Sequence, residues 1–196
     1  MKLGNMKKIL VAENLSYKIN DTKLFQNLSF SLNEGAAIHI LGSNGSGKTS
    51  LLKIISGLTK QTKGEIKKNY NKDICFIGHK NALKQYLTVE DNLSLLEIEA
   101  HGNLKSFLQL LGLDKLLDVM VANLSYGQQK KLALLRLFLN NSDLLVLDEP
   151  CVGLDKKSQD ILCTFLSDEL NAKKALIFSS HISLDISAEV LQLDKA

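Results

Sequence analysis

Apolar residues recur along this chain with two different periods, and the change of period divides it. Residues 9–19 alternate loosely between apolar and polar, Asn20 and Asp21 make a turn, and residues 23–32 alternate again. Successive side chains of a strand point to opposite faces, so this pattern predicts an antiparallel hairpin. The short runs at 36–41, 73–77, 143–149 and 175–179 predict further strands, the first, third and fourth strongly apolar. Residues 62–66 predict a turn and short strand, and residues 189–193 a last strand. Helices are predicted at 50–56, where Gly57 ends the pattern, and at 158–170.

Between about residues 78 and 139 leucine at helical spacing takes over and β-branched residues thin out. Helices are predicted there at 88–100, 104–111 and 126–139, the first opened by Thr88 as N-cap with Glu90 and Asp91 in its first turn. Residues 1–196 therefore read as one α/β unit with two lobes. Residues 1–77 and 140–196 form the α/β lobe, and residues 78–139 a helical insert.

Bulk properties narrow the function classes. The 196 residues are 45% hydrophobic and 23% charged, enough to bury a sizeable core. The net charge of +3 is small and its basic residues are spread out, which gives no footprint for nucleic acid. The apolar run after Lys7 and Lys8 stops at Glu13, too soon for a signal peptide, and Met6 serves as well as Met1 for a start. No run approaches the roughly 18 apolar residues of a membrane-spanning helix, so a cytoplasmic protein is expected, acting on a membrane only through a partner. Cys75, Cys151 and Cys163 lack metal-binding spacing and are expected to be reduced thiols.

The most specific chemistry lies between the strand at 36–41 and the helix after it. Gly42, Ser43, Asn44, Gly45, Ser46, Gly47, Lys48 and Thr49 spell a complete GxxxxGK[ST] loop, and Ser50 continues into the helix. Glycines let the backbone amides curl inward and the helix N-terminus adds partial positive charge, so the segment cradles a polyphosphate. Lys48 is placed to reach the β- and γ-phosphates, and the Thr49 hydroxyl to bind Mg²⁺. The strand at 143–149 ends in Asp148 and Glu149 before Pro150, the single proline. In a parallel sheet ligands gather at the carboxyl ends of strands, so Asp148 is expected to hold hydrated Mg²⁺ and Glu149 to take a proton from the attacking water. His181, after the next strand, reaches the same rim and the γ-phosphate. Tyr17 reads equally as a ring stacked on a purine and as an ordinary strand aromatic.

With these residues in order, the chain resembles the nucleotide-binding subunits of ATP-binding-cassette (ABC) transporters over essentially its whole length. The resemblance implies the ABC type of P-loop NTPase fold, with an antiparallel β subdomain and an inserted helical subdomain. Leu124, Ser125, Tyr126, Gly127 and Gln128 resemble the family signature LSGGQ, which implies that Ser125, Gly127 and Gln128 contact the ATP of an opposite subunit. Gly153, Leu154 and Asp155 match the loop that meets the partner cassette, His181 the switch histidine, and Tyr17 the adenine-stacking aromatic. ATP and Mg²⁺ as cofactors, an ATP-dependent dimer, and integral membrane subunits as partners follow from the same resemblance.

Two positions depart from the family pattern. Tyr126 stands where glycine is usual, and His79 where a glutamine usually binds Mg²⁺ and nucleotide. His79 narrows the resemblance. Ile77, Gly78, His79, Lys80, Asn81, Ala82, Leu83 and Lys84, followed by residues 87–93, resemble the haem-exporter ATPases of cytochrome c maturation, and residues 181–184 and 190–194 resemble their short ending. That branch implies a peripheral protein on the cytoplasmic face of the inner membrane, with His79 as nucleotide and metal contact. Another ABC exporter ATPase, a soluble nucleic-acid-clamping ABC protein, and an ATP-binding scaffold without turnover are the alternatives.

Overall fold

The computed structural model describes residues 7–193. Both possible starts, Met1 and Met6, lie outside the described residues. Three strands form an antiparallel sheet in the order β2-β1-β4: β1 Lys8–Ile19, β2 Thr22–Asn33 and, farther along the chain, β4 Lys63–Lys68. Five strands form a parallel sheet in the order β5-β6-β7-β3-β8. Their ranges are β3 Ala37–Leu41, β5 Ile74–Ile77, β6 Leu144–Asp148, β7 Ala175–Ser179 and β8 Glu189–Gln192.

The apolar runs of β6 and β7 are continuous because both faces of the parallel sheet are covered. Leu144, Val146, Ala175 and Ile177 pack on one side, against α1 (Lys48–Ile55) and the antiparallel sheet. Leu145, Leu147, Leu176 and Phe178 face the other side, where α3 (Leu104–Leu111), α4 (Tyr126–Phe138) and α5 (Lys156–Asn171) bury their leucines. The insert adds α2 (Val89–Leu95) and a 3₁₀ turn at Val121–Asn123. The expected α/β fold, with an antiparallel β subdomain and inserted helices, is therefore present.

The helices begin where their caps place them. The Thr88 side chain accepts from the Asp91 amide while the Asp91 side chain accepts from the Thr88 amide, and Ser125 and Gln128 repeat this reciprocal cap at α4. Asp155 caps α5 through the Ser158 amide, so that helix starts at Lys156 rather than at 158. The helix predicted at 88–100 ends instead at Leu95. Glu97 adopts a left-handed φ of 55°, and the Ile98 amide turns back to the Leu93 carbonyl at 3.3 Å. A non-glycine residue closes this helix, so no glycine in the sequence marked its end. Leu95, the last residue of the helix, is 58% exposed.

Cys75 and Cys151 are buried and Cys163 is half-buried, and all three are free thiols. Burial pushes the Cys75 and Cys151 thiols up to about 11, which removes them as nucleophiles near neutrality. Among the described residues no helix is long and apolar enough to cross a membrane, and no cluster of three metal-ligating side chains of the His, Cys, Asp or Glu type occurs.

Leu147 is fully buried in β6, an interior strand of the parallel sheet. Leu147→Ala is expected to cost about 2 to 5 kcal/mol of stability in urea denaturation. Leu58→Ala, at an exposed position, is expected to stay within about 0.5 kcal/mol of wild type. Equal effects of the two substitutions would contradict the two-sided burial of β6.

Candidate nucleotide site

The strand order brings the carboxyl ends of β3, β7 and β6 side by side, with β5 next to β6. Each strand hands the chain to one part of a cleft of about 630 Å³. From β3 come the phosphate loop and α1, which supply Asn44, Gly45, Gly47, Lys48, Thr49 and Ser50. The other strands contribute His79 after β5, Asp148 and Glu149 at β6, and His181 after β7.

The loop is held by its own backbone. Lys48 Nζ donates to the Gly42 carbonyl at 2.7 Å and to the Ser43 carbonyl at 3.2 Å, and the Ser46 amide donates to Ser43 O. Gly47, the N-cap of α1, has φ of 101°, and a side chain there would meet Leu24 at 3.1 Å. A Cβ on Gly42 would lie 2.4 Å from the Leu193 carbonyl. These two positions require glycine for conformation and for space. The Ser46 hydroxyl is buried without a hydrogen-bond partner.

Opposite the loop, Asp148 is 2% exposed and accepts two hydroxyl hydrogen bonds, from Thr49 at 2.8 Å and from Ser179 at 2.7 Å. Thr49 and Asp148 thus present adjoining hard oxygens, the donor type that Mg²⁺ prefers. Glu149 departs from the strand with a left-handed φ of 51°, and its amide donates to Ser179 O at 3.0 Å. Such strain in a non-glycine residue concentrates at working sites. One Glu149 oxygen accepts from the His181 amide at 3.1 Å. The other is buried without a hydrogen bond, with His181 Nε2 3.5 Å away. A carboxylate held by one oxygen with the other unengaged is suited to take a proton from water.

The other predicted residues lie apart from this cleft. Tyr17 turns away, lining a separate depression with Phe25, Lys18 and Lys23, its ring 6.2 Å from that of Phe25. Ile19 and Leu24 stand in the cleft instead. Ser125, Gly127 and Gln128 sit at the start of α4, outside it. Asp155 also lies outside, capping α5 and pairing with Lys131 at 2.7 Å. The Lys131 hydrogen bond, with the Ser158 amide, holds the Asp155 carboxyl well below the usual carboxylate range.

Sequence reasoning missed Ser179 and Lys130. Ser179 ends the strand preceding His181, and only its register opposite Asp148 reveals its role. Lys130 is fully buried with no hydrogen-bond partner for its ammonium, and its neighbours in α4 carry no sign of this. Burial lowers its pKa, while Asp148, Cys151 and Glu149 oppose that shift.

Comparison with known proteins identifies the family. The profile of the ABC transporter family matches residues 25–152, and the chain belongs to that family. Within it, the chain is 36% identical over 186 residues to the cytochrome c biogenesis ATP-binding export protein CcmA of Legionella pneumophila (strain Lens). That alignment covers 88% of this chain and 92% of the relative. Among solved structures, the ATP-binding subunit of an ABC transporter superposes with a TM-score of 0.79 at 24% identity, covering 89% of this chain and 80% of the other. A dimeric bacterial ABC transporter cassette gives 0.79 at 23%, covering 94% of each chain, and both likenesses show the fold.

The start of α4 packs on the loop after Glu149 through glycine. A Cβ on Gly153 would fall 2.3 Å from the Tyr126 ring, and one on Gly127 would fall 2.7 Å from the Gly153 carbonyl. Gly153→Ala is expected to cost about 1 to 3 kcal/mol for its left-handed backbone, with the overlap on Tyr126 in addition. Tyr126→Gly in the same chain should recover the second part in thermal denaturation. An equal cost in both backgrounds would show that the ring does not rest on Gly153.

Proposed function

We propose that this chain is the ATP-binding and ATP-hydrolysing subunit of a haem exporter serving cytochrome c biogenesis. The observation that carries this reading is the convergence of Lys48, Thr49, Asp148, Glu149 and His181 on one cleft, in a chain 36% identical to a cytochrome c biogenesis ATP-binding export protein across nearly its whole length. ATP lies along the phosphate loop, with Lys48 and the loop amides around its phosphates. Thr49 and Asp148 hold Mg²⁺, with His79 beside them, and the metal supplies charge neutralisation at the phosphates when bound. Glu149 accepts the proton of the attacking water, and His181 lies against the γ-phosphate while its amide orients Glu149.

Ser125, Gly127 and Gln128 contact the nucleotide of a second copy, which their position outside the chain's own cleft supports. Asp155 lies at the same junction. Two copies close on ATP and drive integral membrane subunits from the cytoplasmic face of the inner membrane. The face around residues 79–93, where Tyr86 is 70% exposed, docks those subunits. Residues 78–139 then act as the lobe that relays nucleotide state, and the remainder as the catalytic lobe.

Glu149→Gln is expected to leave ATP binding intact and to abolish phosphate release. In cells whose only copy carries this substitution at normal protein level, haem staining should show the covalent c-type cytochromes lost. Normal stained bands would break the link to cytochrome c biogenesis and leave an ABC ATPase with another cargo.

A further inference from the structure

One polar residue, His39, interrupts the apolar run of β3. Ile38 and Ile40 belong to the core against α1, so His39 faces the other side of the parallel sheet, where it pairs in register with Phe178 of β7. The two rings are stacked, 4.5 Å apart and 11° from parallel. His39 does not line the nucleotide cleft. Its Nε2 lies 3.0 Å from the Ser180 carbonyl oxygen instead. A carbonyl oxygen only accepts, so Nε2 carries the proton and donates this hydrogen bond.

The Ser180 carbonyl and the His181 amide are the two ends of one peptide group, and that amide donates to Glu149 at 3.1 Å. In a trans peptide the C=O and N–H point in opposite directions, and no cis peptide occurs among the described residues. The imidazole and the carboxylate therefore grip one rigid plane from opposite edges. Turning that plane would break both hydrogen bonds together. Bonds in such a chain also polarise one another, so a donor on the carbonyl strengthens the amide as a donor to Glu149. Ser180 is 4% exposed, and its hydroxyl donates to the Ile182 carbonyl at 2.6 Å and accepts from the Ile182 amide at 3.2 Å, which fixes the turn on either side of His181.

On the ATPase reading above, we propose that His39 is a positioning residue for hydrolysis: through the Ser180–His181 peptide it holds one oxygen of Glu149, which leaves the other oxygen placed to take the proton of the attacking water. A misplaced general base slows the chemical step and leaves the phosphate contacts of Lys48 and the loop amides intact. Loss of the His39 donor therefore acts on kcat and not on KM.

Two substitutions separate the donor from the ring. His39→Gln keeps an N–H donor at the reach of Nε2 and gives up the stack on Phe178, whereas His39→Phe keeps the stack and gives up the donor. Phosphate release from Mg²⁺–ATP by the full-length chain is expected to show kcat lower by about tenfold or more in His39→Phe with KM within about twofold, and kcat within about threefold of wild type in His39→Gln. A kcat lost in His39→Gln and kept in His39→Phe overturns the proposal, as do equal rates in all three chains. Should the second phenyl ring prevent folding, His39→Leu removes the donor without that bulk and is held to the same outcomes. Hydrogen exchange at the His181 amide, followed by NMR without nucleotide, reads the peptide itself. Exchange about tenfold faster in His39→Phe but not in His39→Gln is expected, and unchanged exchange in both overturns the proposal. A wild-type chain that shows this exchange pattern yet hydrolyses no ATP would refute the ATPase reading and leave the positioning of Glu149 by His39 standing.

Discussion

The hydrogen bonds to the Asp148 carboxylate are the contact on which the site depends. A carboxylate with 2% exposure is costly to bury unless its lone pairs are occupied, and here hydroxyls from Thr49 and Ser179 occupy them. Those partners come from α1 and β7, so one side chain joins the helix after the phosphate loop to two neighbouring strands. The position of Glu149 follows from that anchorage. Its amide is bonded to Ser179 O and its carboxylate to the His181 amide, which fixes the left-handed turn that carries it away from the sheet.

The parallel sheet supports this arrangement because it is covered on both faces. Its two cores hold β6 and β7 rigidly enough for the end of β6 to present Asp148 and Glu149, and the end of β7 Ser179, with defined geometry, which sites on rigid elements achieve better than sites on loops. The start of α4 belongs to the opposite side of the molecule from α1. Its reciprocal Ser125–Gln128 cap is tied to the loop after Glu149 through Tyr126, Gly127 and Gly153, and through Lys131 and Asp155. The segment resembling the family signature is thus bound to the loop after Glu149 of its own chain while lying outside its own cleft.

Much of this was legible in the sequence, for physical reasons that differ by element. The phosphate loop, Asp148 and Glu149 were readable because their chemistry needs those residue types next to a strand end, and local pattern marks strand ends. Residues 104–111 and 175–179 were predicted with the bounds observed, since their apolar patterns are unbroken. The end of α2 was not, because Glu97 performs a turn usually assigned to glycine. Tyr17 sits beside a one-residue bulge, a feature of pairing between two strands that no single stretch reveals. Ser179 and Lys130 gain their importance only from what packs beside them.

On the function proposed above, one chain supplies half of each nucleotide site and a second copy the remainder. Sedimentation velocity of the full-length chain with Mg²⁺ and a non-hydrolysable ATP analogue tests it directly. The expected result is a shift from monomer to dimer on adding the analogue, abolished by Ser125→Arg, which sets a long cation at the start of α4. A chain that binds the analogue and remains monomeric at every concentration would contradict it.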